Sequence, residues 1–523
     1  MIRFGTLLIL LLLAASVHGE PAWAEQGAPA TFNAPLATAV YSTALAFMEP
    51  RTLDPVPLAQ LTIWGLHGLT ALDPDLAVEV RDGTLRLSLP NGLLSSTPAP
   101  QTEDPNAWAA AATQLSTAAW TASERIRRAG TTGVITNFFD EIFNHLDPYS
   151  RYVPPGEAAE DRARRSGSAG AGLMLTREGG TTLVQRAVAD GPGAASGIRA
   201  GDAILAVNGQ STRGIDLATV AEWLAGPEDT RVAVTVRGRD GRGRTVDVMR
   251  AKVPPDTVFT ERLRDALLIR VTEFDHATAA RLTRALSAAL SAPAATAHPV
   301  TGIILDLRGD PGGLVREAAS VADELLPAGV IASAVGRDPD ATRVWRSVDG
   351  QLADDLPVVV LVDGRTASAA EIVTAALADR GRAVVVGSAT LGKGLVQTIA
   401  PLPDGGELFV TWSRVLAPRG WPLQGLGVLP QVCTSLGQNV LQSELDSLDQ
   451  GVQPMAEAIA RHRAARAPLP PAQAVAIRAA CPAAEGSDAD LTAAKFLIQH
   501  PVGYVTALLP PLRDAGEATL GVR

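Results

Sequence analysis

Cysteine is almost missing from this chain, with Cys433 and Cys481 the two thiols among 523 residues. Two thiols form at most one bridge, and the sequence leaves open whether they pair or are simply small buried residues. Positive charge is also in short supply. The net charge of −10 provides no basic footprint for nucleic acid. Seven histidines are present, none in a His-x-x-x-His spacing, so no metal site is assigned and no histidine is placed in a site. No serine stands in a Gly-x-Ser-x-Gly elbow, which argues against an esterase of the α/β-hydrolase kind. Beyond the first residues there is no apolar run that approaches the roughly 20 residues of a membrane span.

What is there is a large core-forming chain, 46% hydrophobic and 19% charged, long enough for several domains. Its start reads as a secretion signal. Arg3 is followed by an apolar run over 7–17 and by the small-x-small site Ala22-Trp23-Ala24, with cleavage expected after Ala24. The mature protein is therefore expected to be exported, in the periplasm or another extracytoplasmic space, and membrane-associated if the signal is kept.

The informative stretch is 356–399, LPVVVLVDGRTASAAEIVTAALADRGRAVVVGSATLGKGLVQTI. The run 358–362 predicts a buried strand ended by Asp363-Gly364, with Ser368 next and a helical pattern to 377. A second strand over 383–386 leads to a glycine-punctuated turn that carries Lys393. A serine and a lysine on adjacent turns can meet, so the lysine can act as base toward a hydroxyl nucleophile, a known variant of triad logic. Nucleotide binding is the competing reading, because 387–393 fits the first seven positions of a phosphate-binding loop. Gly394 stands where Ser or Thr is needed, and 395–399 alternates like a strand instead of opening a helix.

The segments TASAAEI, GKG and VQT, in residue type and spacing, resemble the nucleophile and base segments of the carboxyl-terminal processing peptidases, or tail-specific proteases. The resemblance covers roughly 126–432. It implies that Ser368 attacks the peptide carbonyl, Lys393 is the general base and Gln397 orients the lysine. A lysine in water titrates near about 10.4, so Lys393 must be desolvated to be neutral, and its valine and leucine neighbours suit that. Gly302-Ile-Ile-Leu-Asp-Leu-Arg308-Gly-Asp-Pro-Gly-Gly313 reads as a buried strand delivering a glycine turn into a helix, where outward amides make a natural oxyanion hole. The resemblance implies Gly312 or Gly313, with Ala369, as its donors. Asp310 stands where the family usually has asparagine, and Val415, Ala417 and Gln431 depart from its closing motif.

Before this core, 166–255 resembles a PDZ domain, with Asn208-Gly209 as a tight turn and a helix over 217–224. A module of that kind adds an extended peptide to a sheet edge. Here the carboxylate loop would be Gly170, Ala171, Gly172 and Leu173, with Val220, Trp223 and Leu224 in the side-chain groove. A layered α/β core is implied by the recurring strand, helix and glycine turn, and the resemblance gives it a crotonase-like fold. Phe409 to Trp412 is expected to continue its sheet. The segments LDP at 72–74 and 146–148 end two helical stretches, 35–72 and 125–146, with a Ser, Thr and Pro rich loop over 94–104. Asp147 and Ser150 read as turn-forming residues.

The expected domains are a signal over 1–24, an N-terminal helical region 25–125, a helical lead-in 126–165, the PDZ domain 166–255, the protease core 256–435 and a helical C-terminal region 436–523. The expected function is an exported serine endopeptidase acting near protein C-termini, without metal or nucleotide cofactor. Its partners would be protein or peptide substrates held by their tails, with an adaptor protein and a homo-oligomer left open. The rival is a non-catalytic peptide-binding scaffold, against which Ser368, Lys393 and Gln397 all speak.

Overall fold

The computed structural model describes residues 31–511 apart from 167, 189–190, 254–255, 292–298, 349–351 and 354. The expected signal peptide lies outside the described residues, as do Pro254-Pro255 and the middle of the 291–300 loop. Among the described residues no helix is long and apolar enough to cross a membrane.

The stretch expected to be helical over 35–72 is two helices, α1 (Ala34–Met48) and α2 (Leu58–Leu72). Pro50, Pro55 and Pro57 lie between them, each without a backbone donor, and break the run. An antiparallel meander follows, β1 (Ala77–Arg81), β2 (Thr84–Leu89) and β3 (Gly92–Pro98). The expected loop over 94–104 is thus partly strand. Its residues are polar because β3 is a half-exposed edge, so no apolar alternation announces it. Helices α3 (Pro105–Ala122) and α4 (Glu124–Asn144) complete this region. Gly65 and Gly68 of α2 leave no room for a Cβ against Phe138 and the Asn137 backbone, which lets α2 and α4 approach closely. Strand β4 (Arg151–Val153) then crosses into the protease core.

After α5 (Pro155–Ser166) the second module contains β5 (Ser168–Gly170), β6 (Leu173–Glu178), β7 (Thr181–Ala187), α6 (Pro192–Ala195), β8 (Ala203–Val207), β9 (Gln210–Ser211), α7 (Leu217–Leu224), β10 (Arg231–Arg237), β11 (Gly243–Met249) and β12 (Ala251–Val253). Its sheet runs β11-β10-β8-β7-β6, and β5 pairs with β12 to close the module at its two ends. Asn208 (φ 49°) and Gly209 (φ 79°) are both left-handed, the turn that the Asn-Gly pair signals.

The core has two sheets. The first runs β13 (Val258–Arg262), β14 (Ala266–Val271), β15 (Gly302–Asp306), β18 (Val358–Val362), β19 (Ala383–Gly387) and β22 (Val432–Cys433), parallel except for β13. Strands β15, β18 and β19 are buried at every residue, which is why their sequences are unbroken apolar runs. Helices α8 (Thr278–Leu290), α9 (Val315–Asp323) and α10 (Ala369–Asp379) pack on one face. On the other face lie α11 (Gln438–Asp449), α14 (Asp488–Gln499) and α15 (Pro501–Ala507), with α12 (Ala456–Ala464) and α13 (Pro471–Arg478) between them in sequence. The C-terminal region is therefore the third layer of the core. The second sheet is antiparallel, β17 (Arg343–Ser347), β16 (Gly329–Gly336), β21 (Glu407–Leu416) and β20 (Leu395–Pro401) in that order. Phe409 to Trp412 belongs to this sheet rather than the first, because β20 and β21 form a tight hairpin and a parallel addition would need a long crossover.

Cys433 at the end of β22 and Cys481 after α13 form a disulfide, with Cα atoms 5.8 Å apart and a sequence separation of 48. Replacing both by alanine should lower stability by about 2–5 kcal/mol, concentrated in the C-terminal layer, as read by hydrogen exchange on α11–α15. Uniform loss across the PDZ module would contradict this.

Candidate active site

The carboxyl ends of β15, β18 and β19 point the same way, so the three turns that follow them sit side by side, where open α/β sheets place their ligands. The turn after β15 holds Gly312 and Gly313, that after β18 holds Ser368, and that after β19 holds Lys393. Asp363 joins the first two: its Oδ1 accepts from the N–H groups of Gly309, Arg365 and Thr366, each at 3.0 Å. Thr366 Oγ1 in turn donates to the Leu307 carbonyl at 2.9 Å, and its own carbonyl accepts from Leu391 N–H at 2.9 Å.

Ser368 precedes α10 with φ 53° and ψ −115°, a conformation that costs a non-glycine residue on the order of 1–3 kcal/mol. Glu371, one turn into the helix and fully buried, holds it there. Its Oε2 accepts from the N–H of Ser368 and the N–H of Lys393, both at 2.8 Å. Its Oε1 accepts from Gly392 N–H at 2.7 Å and from the Thr390 hydroxyl. One carboxylate oxygen thus fixes the backbones of the serine and the lysine together. Burial pushes the Glu371 carboxyl up, and the four donors pull it back toward the ionised form.

Ser368 and Lys393 both open into one cavity of about 630 Å³, walled by Trp345, Phe409, Trp412 and Leu395 among others. Burial pulls the Lys393 ammonium below its usual range, the nearby Arg151 adds repulsion, and Glu371 opposes both. The lysine Nζ lies 5.1 Å from the ring centroid of Tyr149. Gln397 lines the same cavity, but its amide nitrogen donates to Thr411 Oγ1 (3.1 Å) and the Leu395 carbonyl (3.2 Å), and it makes no hydrogen bond to the lysine amine. Thr411 is held by Asp147 Oδ1 at 2.7 Å and by Ser150 Oγ, which accepts from its N–H at 2.9 Å. Asp147 and Ser150 also bond each other across their own turn, so the segment before the PDZ module forms a wall of the site.

The glycine turn separates the two glycines that the sequence leaves as alternatives. Gly312 N–H donates to Asp310 Oδ1 at 2.7 Å, so that amide is not open to a ligand. Among the described residues, Gly313 N–H and Ala369 N–H have no hydrogen-bond acceptor. A Cβ on Gly312 would lie 2.7 Å from Ser368 Cβ and 2.8 Å from Ala369 N, so only glycine lets this turn press against the serine.

In the PDZ module Gly170 ends β5, Ala171 is buried, Gly172 is left-handed (φ 68°) and Leu173 opens β6. Val220 and Leu224 are packed inside the module's own core with Ile204 and Val234, because they sit four apart on the inward face of α7. They do not line an open groove. Leu173 and Trp223 are partly exposed and remain accessible beside β6. Glu371 and Tyr149 were not singled out from sequence. Glu371 stands inside the TASAAEI segment, where a carboxylate within an otherwise apolar helix is the available signal, and Tyr149 lies between Asp147 and Ser150.

A model of peptidase family S41 matches residues 265–434 and a PDZ-domain model matches 183–238. The chain is 32% identical over 305 residues to the carboxy-terminal-processing protease of Bartonella bacilliformis, covering 57% of this chain and 69% of that protein. It is 32% identical over 323 residues to the chloroplastic C-terminal processing peptidase of Tetradesmus obliquus, covering 58% and 68%. Among solved structures, a photosystem II D1 C-terminal processing protease aligns with 71% of this chain and 92% of its own, at 26% identity and a TM-score of 0.36.

Glu371→Gln places an amide donor opposite backbone N–H groups that need an acceptor. Peptidase kcat/KM should fall at least about a hundredfold, with a lower melting temperature. A variant with the parent's rate would show that the turn-to-turn link is dispensable.

Proposed function

This chain belongs to the carboxy-terminal-processing protease family, a serine-type peptidase with a PDZ domain, and on that premise we propose that Ser368 is its nucleophile and Lys393 its general base. The observation that carries the assignment is the sharing of Glu371 Oε2 by the two backbones, which puts a partly desolvated amine and the half-buried serine in the lining of one cavity. The neutral amine takes the proton from Ser368 Oγ as the oxygen bonds to the substrate carbonyl carbon. The carbonyl π pair moves onto its oxygen, which the Gly313 and Ala369 N–H groups receive. Collapse of that adduct breaks the C–N bond, and the lysine returns its proton to the leaving amine. Water then attacks the acyl ester by the same route, and the lysine again relays the proton.

Gln397 is assigned the orienting role. The amine swings from the face of Tyr149 toward Gln397 as substrate fills the cavity, and Gln397, held by Thr411, adds no negative charge that would favour the ammonium. The PDZ module takes the substrate's C-terminal tail along β6, with its carboxylate at 170–173 and side chains against Leu173 and Trp223. Export to an oxidising compartment is supported by the leader-like first residues and by the Cys433–Cys481 bond.

The test uses an unfolded protein with an apolar tail. Ser368→Ala and Lys393→Ala should each abolish cleavage while preserving the fold by circular dichroism, and either variant turning over at the parent's rate removes that residue from the mechanism. The Lys393 ammonium is held below its usual value, so kcat/KM should rise with pH through an apparent pKa under that of a free lysine, 10.5. Arg151→Gln removes a repelling cation and should move this rising limb to higher pH. An unmoved limb would show that Arg151 does not act on the lysine.

A further inference from the structure

Asp310 is fully buried one turn from the nucleophile, yet the mechanism above does not use it. Its backbone is tied on both sides, with its N–H donating to the Leu307 carbonyl at 3.2 Å and its carbonyl accepting from Ala367 N–H at 2.9 Å. Its Oδ1 accepts from Gly312 N–H at 2.7 Å. Among the described residues its Oδ2 is buried without a hydrogen-bond partner. A carboxylate in that setting would carry a buried, half-satisfied negative charge, which is far costlier than a neutral acid of the same shape.

The surrounding charged groups do not neutralise it. Glu273, between β14 and α8, repels it. Asp363, on the turn after β18, is occupied by four backbone donors. Arg308 on its own turn is committed to Asp306 and Asp490, and Arg365 faces Asp363 and Glu485. Glu371 of α10 is occupied by its four donors, and Lys393, after β19, and Arg316, on α9, open into the cavity without an ion pair to Asp310.

We propose that Asp310 is a positioning residue that works as a neutral acid. It occupies the Gly312 and Ala367 amides, leaving Gly313 and Ala369 as the donors facing the serine, and it keeps negative charge away from the place where the oxyanion forms. The proposal rests on the reading of Ser368 as nucleophile. Burial lifts the Asp310 carboxyl to about 8, with Glu273 adding to the rise and the Gly312 bond opposing it. Above that pH the group ionises beside the oxyanion donors. The consequence is an alkaline limit on activity, set against the lysine's demand for higher pH.

Asp310→Asn keeps the shape and cannot ionise. Cleavage of one defined peptide should stop rising and fall above about pH 8 in the parent, whereas Asp310→Asn should keep rising or level off, with activity at pH 7 within about threefold of the parent. The same alkaline fall in both proteins overturns the proposal, as does loss of activity at pH 7 in the asparagine variant. Glu273→Gln removes the repelling charge and should move the fall to lower pH, and an unmoved fall counts against the proposal.

A second readout is independent of catalysis. The folded carboxyl holds its proton up to about 8 while the unfolded one releases it near 3.8. Asp310 therefore lowers stability progressively as pH rises between those values, and no further above the higher one. The melting-temperature gap between Asp310→Asn and the parent, both in a Ser368→Ala background, should widen from pH 5 to pH 8 and then stay level. A gap that does not change with pH overturns the neutral acid. If instead Ser368→Ala remains active, the nucleophile assignment fails while the widening gap still stands.

Discussion

The site depends on a single buried carboxylate that accepts four hydrogen bonds. Glu371 comes from the helix that Ser368 opens, and it reaches across to the backbone of Lys393 and its neighbours. A buried charge is retained only when its oxygens are satisfied, so each donor is needed to keep Glu371 where it is. The reverse also holds. Without that acceptor the strained serine turn and the glycine-rich lysine turn would keep the Leu391-to-Thr366 backbone bond but lose the one oxygen that holds the Ser368 and Lys393 N–H groups together.

Around this anchor the fold supplies rigidity by layering. The parallel sheet is buried on both faces, by α8–α10 on one side and by α11, α14 and α15 on the other. The antiparallel sheet contributes the outer wall, with Gln397 and Trp412 on the hairpin that leaves Lys393. The segment before the PDZ module closes the last side through Asp147, Tyr149 and Ser150. A chain of hydrogen bonds therefore runs from Asp147, in the segment before the PDZ module, through Thr411, to Gln397.

Local sequence carried much of this. The strand over 358–362, the PDZ helix over 217–224 and the placement of Ser368 and Lys393 on neighbouring turns were legible because unbroken valine runs and glycine turns are local signals. What was not legible is set by partners far away in the chain. Strand β3 is polar because it is an edge, β21 joins the second sheet because of a hairpin, and Val220 turns inward because of the module's core. The choice between Gly312 and Gly313 depends on where one carboxylate oxygen of Asp310 points. Lys393 could have been approached by scarcity as well as by motif, since the chain has just three lysines, Lys252, Lys393 and Lys495.

The short segment after α13 also touches both the serine turn and the lysine turn from behind. The Ala484 carbonyl accepts from Gly364 N–H at 2.8 Å and from Ser388 Oγ at 3.0 Å, while Cys481, bonded to Cys433, offers its carbonyl to Ala389 N–H at 3.4 Å. Residues more than a hundred positions downstream of the serine thus serve as its rear buttress. The protein's catalytic unit does not end where the family's last sequence signature does, and an enzyme cut back to that signature would be missing masonry rather than ornament.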